Sequence, residues 1–490
     1  MKLKTNKNCP VIDFQCVICN GRAIEFPEVA EFMQDNFDNY SVSDELHGSN
    51  FLWLDEQKCL LKDKALYSQY EGVINRIYGM EIFKEKTLQY AILSQCKKHY
   101  PTEFSFHPSC YTLMKDVDLL QEDIEKSGYE RTYICKPSIG ACGEGMIIFN
   151  NIEDLPKTKE DHAFAIQHYI VNPLLYKNKK FDFRIFVIVQ GVSPMRGYIS
   201  FDTGYMKICA EDYDKNDLTN PFSNITNRGQ NKLHPSFTPG PKEGEEDENA
   251  FYNKQSITKV WEMLKEDYFD GNCEDPDAKI DEIKQKIKDI ANSLLRAFRS
   301  SIEVEQTEFM QMEDNQELND RICNTLGLDI MLDEDFNPWL IETNRNPDMG
   351  LDNIQLNPDG TEERWLCQIN ANISYSLTNE IARMFIGKEE SKEFVKCYDS
   401  SDPDSEDSKF LYERVFQIFK KISGTTLNKT ISSDDFTTFL TTSPLYIEPS
   451  LISTLSLPPH LTLQALFNTL DQLSSDLDTD IFKLLSKIES

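Results

Sequence analysis

The stretch Gly327-Leu-Asp-Ile-Met-Leu332, the turn Asp333-Glu-Asp-Phe-Asn-Pro338 and the run Trp339-Leu-Ile-Glu-Thr-Asn344 decide how this chain is read. Two apolar runs flank a segment rich in turn-forming residues, which predicts a β-hairpin. Side chains alternate faces along a strand, so Glu342 and Asn344 share one face while Trp339 and Ile341 take the other. Pairing of the strands lets Asp329 join them, giving two carboxylates and one amide oxygen on one surface. That all-oxygen set suits Mg²⁺, which accepts a few carboxylates and completes its shell with water and phosphate. In isolation the same residues also read as an acidic hairpin with solvated carboxylates.

Upstream, Lys180-Phe-Asp-Phe-Arg184 opens a long apolar run to Val192, predicting a buried strand. At strand spacing Lys180, Asp182 and Arg184 share a face, and Phe181, Phe183 and Ile185 face a core. Lys and Arg on a rigid strand can grip phosphate or carboxylate, and Asp182 can orient them. The alternative is a charge-laced face held by cross-strand pairs. Thr132 to Lys136 predicts a strand ending in Lys136, a point charge suited to phosphate. The loop Gly140-Ala-Cys-Gly-Glu-Gly145 follows, with glycines whose amides can fold over phosphates or simply form a turn. Met146 to Phe149 and Ala163 to Ile170 predict two further strands; the latter carries Gln167-His-Tyr-Ile170, with backbone and amide groups able to read an adenine edge. Asn224-Ile-Thr-Asn227 and Lys232 add amide, hydroxyl and ammonium groups.

Helical spacing predicts helices near Lys84 to His99, over Leu119 to Lys126, over Lys279 to Ser301 (about six turns) and over Gln368 to Ile386. Residues 233–280 read as loop-rich. The layout predicted is an α/β (α+β) chain with units at 1–100, 101–172 and 173–390, an acidic linker at 391–408, and a helical extension at 409–490.

A formal charge of −31 argues against a nucleic-acid surface. Residues 131–232 nonetheless hold 13 Lys and Arg against 11 Asp and Glu, so a local anion-binding cleft is compatible with the acidic whole. The acidic excess gathers in runs such as Glu243-Gly-Glu-Glu-Asp-Glu248, read as solvated surface or disordered loop. The 13 cysteines form no disulfide-like framework, and the lone Cys16-Val-Ile-Cys19 reads as buried thiols. With no secretory h-region and no window approaching the roughly 18 uninterrupted apolar residues of a membrane span, the chain is expected to be soluble, in a reducing compartment, without a membrane partner.

The ordered series Lys-Pro, glycine loop, Gln-x-Tyr-Ile, Lys-x-Asp-x-Arg, Thr-Asn and Asp…Glu-x-Asn resembles the tubulin–tyrosine ligase-like family of ATP-grasp ligases over roughly residues 70–385. The resemblance implies N-terminal and central α/β domains and a C-terminal ATP-grasp domain, with ATP held between the last two. It implies ATP-binding roles for Lys136, Cys142, Gly143, Gln167, His168, Tyr169, Ile170, Lys180, Asp182, Thr226 and Asn227. Asp329, Glu342 and Asn344 would hold Mg²⁺. Arg184, Lys207 and Glu342 would be catalytic, and Lys207, Arg228 and Lys232 would meet the amino-acid substrate. The implied reaction is amide formation through an acylphosphate, joining a free amino acid (glutamate first, glycine or tyrosine otherwise) to tubulin. The implied protein is a monomer acting on microtubules in the cytoplasm, at the cytoskeleton, cilium or basal body. A ligase for another protein and a catalytically silent nucleotide- or microtubule-binding adaptor are the alternatives. Three positions depart from the family pattern: Cys142 replaces Lys or Gln, Lys207 replaces Arg, and Arg228-Gly229 replaces Tyr-Ser.

Overall fold

The computed structural model describes residues 9–19, 27–54, 64–113, 115–140, 143–155, 164–242, 250–310, 316–356, 361–405, 407–423, 430–442, 447, 449–455, 457–477 and 479–489. Cys142 and the acidic run 243–248 lie outside them.

The long apolar run forms the strand Lys179–Gln190 at the middle of the largest sheet. Across that sheet the order is Lys254–Ser256, Arg196–Ile208, Lys179–Gln190, Cys323–Leu332 and Pro338–Asn344, all neighbours antiparallel. One face is largely apolar: Phe181, Phe183 and Ile185 are at most 1% exposed and pack with Ile330 and Leu340 in the main core. Against that core lies the helix Pro276–Met310, longer than the Lys279 to Ser301 predicted. Its last turns were hidden because polar residues occupy core-facing positions there. Gln306 accepts from the Tyr78 amide (2.7 Å), and Glu303 pairs with Arg299 (2.9 Å) and Lys420 (3.1 Å). Residues 233–280, expected as loop, contain the edge strand Lys254–Ser256 and helical turns from Thr258 to Phe269. These elements are too short to show a period.

A second, four-stranded antiparallel sheet runs Cys110–Thr112, Phe164–His168, Tyr133–Pro137, Ile147–Phe149, with its own small core around Ile124, Tyr133 and Ile166. A parallel sheet, Tyr40–Ser43, Cys16–Cys19, Phe51–Leu52 and Val73–Ile74, covers the N-terminal end, and both Cys16 and Cys19 are buried free thiols in it.

Residues 391–408 are not a free linker. Val395–Asp399 is a strand paired with the outer half of Arg196–Ile208, and Asp407 meets Arg296 (3.2 Å) and accepts from the Tyr398 hydroxyl (2.5 Å). Its Asp/Ser composition suggested disorder, but the apolar Phe394, Cys397 and Tyr398 within it are buried. The extension beyond contains the helices Leu411–Ser423, Ser433–Thr442, Leu463–Asp476 and Ile481–Glu489, with a two-stranded ladder, Thr430–Ser432 on His460–Thr462. It shares the main core: Phe410 stacks on Tyr100 (4.9 Å between ring centroids), and Tyr412 on Phe467 (4.3 Å). Among the described residues no helix is long and apolar enough to cross a membrane.

Candidate active-site cleft

The face of the large sheet opposite the main core is apolar at Phe186 and Ile188 but polar from Arg184 back to Lys180, and strand register builds that polar end. Residues directly paired across antiparallel strands point to the same side. Lys254, Lys207 and Asp182 form one row; Ser256, Tyr205, Arg184, Asp329 and Glu342 form the next. Five strands thus deliver the charged side chains that sequence spacing could relate only within single strands.

The hairpin carries one departure from regular alternation. Asp329 pairs with Glu342 but Ile330 pairs with Leu340, so Ile341 is the extra residue of a β-bulge. Ile341 was expected to face away from Glu342; instead both line the cleft, and Leu340 (2% exposed) takes the core position. A period-two reading misplaces any residue at a bulge.

Asp329 is the electrostatic centre. Arg184 donates to it through Nε to Oδ1 (2.7 Å) and Nη2 to Oδ2 (2.8 Å), and Lys207 Nζ reaches Oδ2 at 3.0 Å. Lys207 also pairs with Asp182 Oδ1 at 3.0 Å, and Asp182 Oδ2 accepts from Thr226 Oγ1 at 2.5 Å. Burial alone would raise the Asp329 carboxyl; Arg184 and Lys207 outweigh it and hold it well below the usual range. Burial pushes the Asp182 carboxyl up, against the pull of Lys207. Asn344 Nδ2 sits 3.4 Å from Asp329 Oδ2.

Glu342 has a partner that sequence reasoning missed: Lys86, at the start of the helix Lys86–His99, lies 3.2 Å from its Oε1 and donates to the Gly140 carbonyl (3.1 Å). A single lysine at a helix start carries no motif, so only packing could reveal it.

Between the two antiparallel sheets lies a cleft. Ile134 and Met146 from the smaller sheet and Met331 and Ile341 from the larger give it apolar walls. Lys136 and Lys180 are 3% and 2% exposed, and among the described residues neither forms an ion pair. Lys136 Nζ donates to Gln167 Oε1 (2.8 Å) and Tyr90 OH (3.2 Å); Lys180 Nζ lies 3.8 Å from the Tyr169 ring centroid. Burial lowers their pKa values to about 8 and about 7. Buried cations without counter-ions are costly unless an anion completes them. Gln167 Nε2 is a buried donor without a partner. The amides of His168 and Tyr169 are already taken by the Ser109 and Thr132 carbonyls (2.9 Å each).

The cleft brings together Lys136, Gln167, His168, Tyr169, Ile170, Lys180, Asp182, Lys207, Thr226, Asn227, Asp329 and Glu342. Gly143 lies beside it at φ +76°, where an added Cβ would stand 3.2 Å from the Asn227 side chain. Arg184 and Asn344 adjoin it through Asp329. Arg228 and Lys232 follow Asn227 on a short helical turn and do not line it.

A nucleotide fits these residues. The apolar walls accept a flat base, the unpartnered Gln167 donor needs an acceptor, and the unpaired lysines need phosphate charge. A hard divalent cation fits the donor chemistry of Asp329, Glu342 and Asn344. Among the described residues no three His, Cys, Asp or Glu side chains converge, so these oxygens would need phosphate or water to complete a shell.

Tubulin polyglutamylase TTLL7 of Homo sapiens is 28% identical over 333 residues, 66% of this chain and 35% of that protein. A probable beta-tubulin polyglutamylase of Tetrahymena thermophila is 24% identical over 344 residues, 69% of this chain and 27% of that protein. Tubulin monoglutamylase TTLL4 of Mus musculus is 30% identical over 251 residues, 50% of this chain and 19% of that protein. The chain therefore spans 19–35% of the length of these curated relatives. The model of the tubulin-tyrosine ligase family matches residues 64–358, which hold every residue that lines the cleft. This chain belongs to the tubulin-tyrosine ligase family.

Proposed function

We propose that the protein is an ATP- and Mg²⁺-dependent ligase that joins an amino acid, glutamate, to a carboxylate of tubulin. The observation that carries this reading is the pair of buried, unpaired lysines, Lys136 and Lys180, lining one apolar-walled cleft together with Asp329 and Glu342 of the hairpin. The names of the relatives, tubulin polyglutamylases and a monoglutamylase, support the substrate and the donor.

When bound, ATP with Mg²⁺ would supply a phosphoryl group that turns an unreactive acceptor carboxylate into an acylphosphate, which an amine can attack. Asp329, Glu342 and Asn344 would hold the cation. The chain's own groups do the rest. Lys136 and Lys180, themselves nearly fully buried, bind phosphate charge where each charge interaction is stronger than in bulk. Gln167 fixes one edge of the base. Lys207 bridges Asp182 and Asp329 and Arg184 adds a second cation at Asp329, which offsets the repulsion between two carboxylates on one sheet face. Lys86 holds Glu342 in place from the opposite side. Enclosure between two sheets keeps water from an activated acyl group.

A cytoskeletal location follows from a tubulin substrate. Incubation with tubulin, ATP, Mg²⁺ and each of labelled glutamate, glycine and tyrosine tests the proposal. Glutamate is expected to be incorporated into tubulin; incorporation of none of the three would overturn it, and labelling of another protein with tubulin inert would redirect it to a different acceptor.

A further inference from the structure

The extension repeats one unit twice. A helix, a short strand and a second helix follow one another as Leu411–Ser423, Thr430–Ser432 and Ser433–Thr442, and again as Pro449–Ile452, His460–Thr462 and Leu463–Asp476. The two strands pair antiparallel with Ile431 opposite Leu461, both at most 2% exposed. Each strand ends in a hydroxyl that caps the next helix. Ser432 Oγ accepts from the Asp435 amide (3.0 Å), and Thr462 Oγ1 accepts from the Ala465 amide (3.1 Å). The first helix packs on the fourth and the second on the third. Two helix–loop–helix units joined by a short antiparallel link are the architecture of a paired EF-hand. Its calcium chemistry is missing. The stretches before the two strands, 423–429 and 453–459, hold no Asp or Glu, and Ala465 stands where the first unit has Asp435.

The first and fourth helices of the pair grip the helix Lys86–His99 at its C-terminal end. The Tyr412 hydroxyl lies 2.9 Å from Gln95 Oε1, which also accepts from Gln464 Nε2 (2.6 Å). Asp471 Oδ2 accepts from Lys98 Nζ (2.5 Å), and its Oδ1 lies 3.3 Å from His99 Nε2. The other end of the same helix stands at the cleft. Lys86 meets Glu342 (3.2 Å), and the Tyr90 hydroxyl accepts from Lys136 Nζ (3.2 Å) and donates to the Ile341 carbonyl (3.3 Å). Lys86 and Lys98 are about 18 Å apart along one unbroken helix, a rigid element able to carry coupling between its ends.

We propose that the extension is a calcium-silent EF-hand-type pair whose Tyr412 and Asp471 are positioning residues for the ligase site, setting Lys86 and Tyr90 through the helix they hold. The inference rests on the ligase reading above. Lys86 and Tyr90 each reach the cleft through contacts already above 3 Å, so a helix shift of about 1 Å takes them beyond hydrogen-bond range together.

The test uses the full chain with Tyr412→Phe, Asp471→Asn and both together, alone and combined with the cleft-end pair Lys86→Met and Tyr90→Phe. Calorimetry measures affinity for a non-hydrolysable ATP analogue, and hydrogen exchange follows the amides of residues 86–93. The variant carrying both extension changes is expected to bind the analogue about 3-fold or more weakly. Exchange over 86–93 should quicken while exchange in the strand Cys16–Cys19 stays as in wild type. With the cleft-end pair in place, the extension changes should lower affinity little further, because the route is already cut and Lys136 and Lys180 remain to bind phosphate. Tyr412→Phe keeps the ring stacked on Phe467, so it carries the test alone if the combined variant does not fold. Calcium in place of chelator should move neither affinity nor melting temperature. Unchanged affinity in a folded variant, an equal loss with and without the cleft-end pair, or faster exchange throughout the molecule overturns the positioning role and leaves the ligase reading intact. A calcium-dependent melting temperature overturns the calcium-silent pair. Failure of wild type itself to bind the analogue overturns the ligase reading, and the positioning role with it.

Discussion

Arg184 grips Asp329 as a planar fork, with Nε and Nη2 each meeting a separate carboxylate oxygen at 2.7 and 2.8 Å from the adjacent strand. Both side chains are largely buried, at 12% and 5% exposure, so neither charge has water to fall back on. Replacing Arg184 with Met leaves Asp329 dependent on Lys207 alone, which Asp182 also claims. The variant is predicted to lose about 3–5 kcal/mol of stability, the range for breaking a buried pair from one side. Urea unfolding measures it; a loss below about 1 kcal/mol would mean that the fork is not needed to keep Asp329 charged.

Glu342 sits differently. Its side chain is 23% exposed and its partner Lys86 contacts one oxygen only. Glu342→Gln keeps shape and hydrogen-bonding capacity, so stability should change by less than about 1 kcal/mol. Ligase turnover should be abolished, because a carboxylate is removed from the cation set. Thermal melts and amino-acid incorporation, run on one preparation, separate the two effects.

The lysines give a pH signature. Lys180 and Lys136 have folded pKa values of about 7 and about 8, below the 10.5 of an unperturbed lysine. The ligand-free folded state thus binds fewer protons than the unfolded chain between those values. Its stability should rise as pH climbs from about 7 toward 10.5 through this contribution. Nucleotide binding works in the opposite sense: phosphate favours the charged ammonium and raises both pKa values. Affinity should therefore weaken as pH rises past about 8, and binding there should take up protons. Calorimetry in buffers of different ionisation enthalpy reads the proton count, and Lys180→Met should reduce it.

The extension is predicted to unfold together with the rest. Phe410 is 1% exposed and stacks on Tyr100, while the Tyr412 hydroxyl donates to Gln95 (2.9 Å) on the helix that carries Lys86. Phe410→Ala should cost about 3–5 kcal/mol and lower a single calorimetric transition. Two separated transitions, with only one moved, would show the extension to be an independent unit.

Much of the cleft was legible because its residues sit at strand spacing within single runs. Lys180, Asp182 and Arg184 needed only the period of a strand, and the Asp329 hairpin needed only its turn residues. What was not legible depends on register between distant strands. Lys254 stands in the unremarkable run Asn253-Lys-Gln-Ser256, and its place beside Lys207 exists only once that edge strand pairs. Lys86 reaches Glu342 through helix packing, which leaves no local pattern. The Ile341 bulge changes one residue's face without changing composition. The 391–408 segment misled for the opposite reason: its Asp and Ser content masked three buried apolar residues.

The central claim, that the cleft joins glutamate to tubulin at the expense of ATP, is tested most directly by mass spectrometry of tubulin after incubation with ATP, Mg²⁺ and labelled glutamate. Tubulin should gain glutamyl residues with wild type and none with Glu342→Gln or without ATP. Unmodified tubulin with folded wild type, or equal modification by Glu342→Gln, would contradict the account.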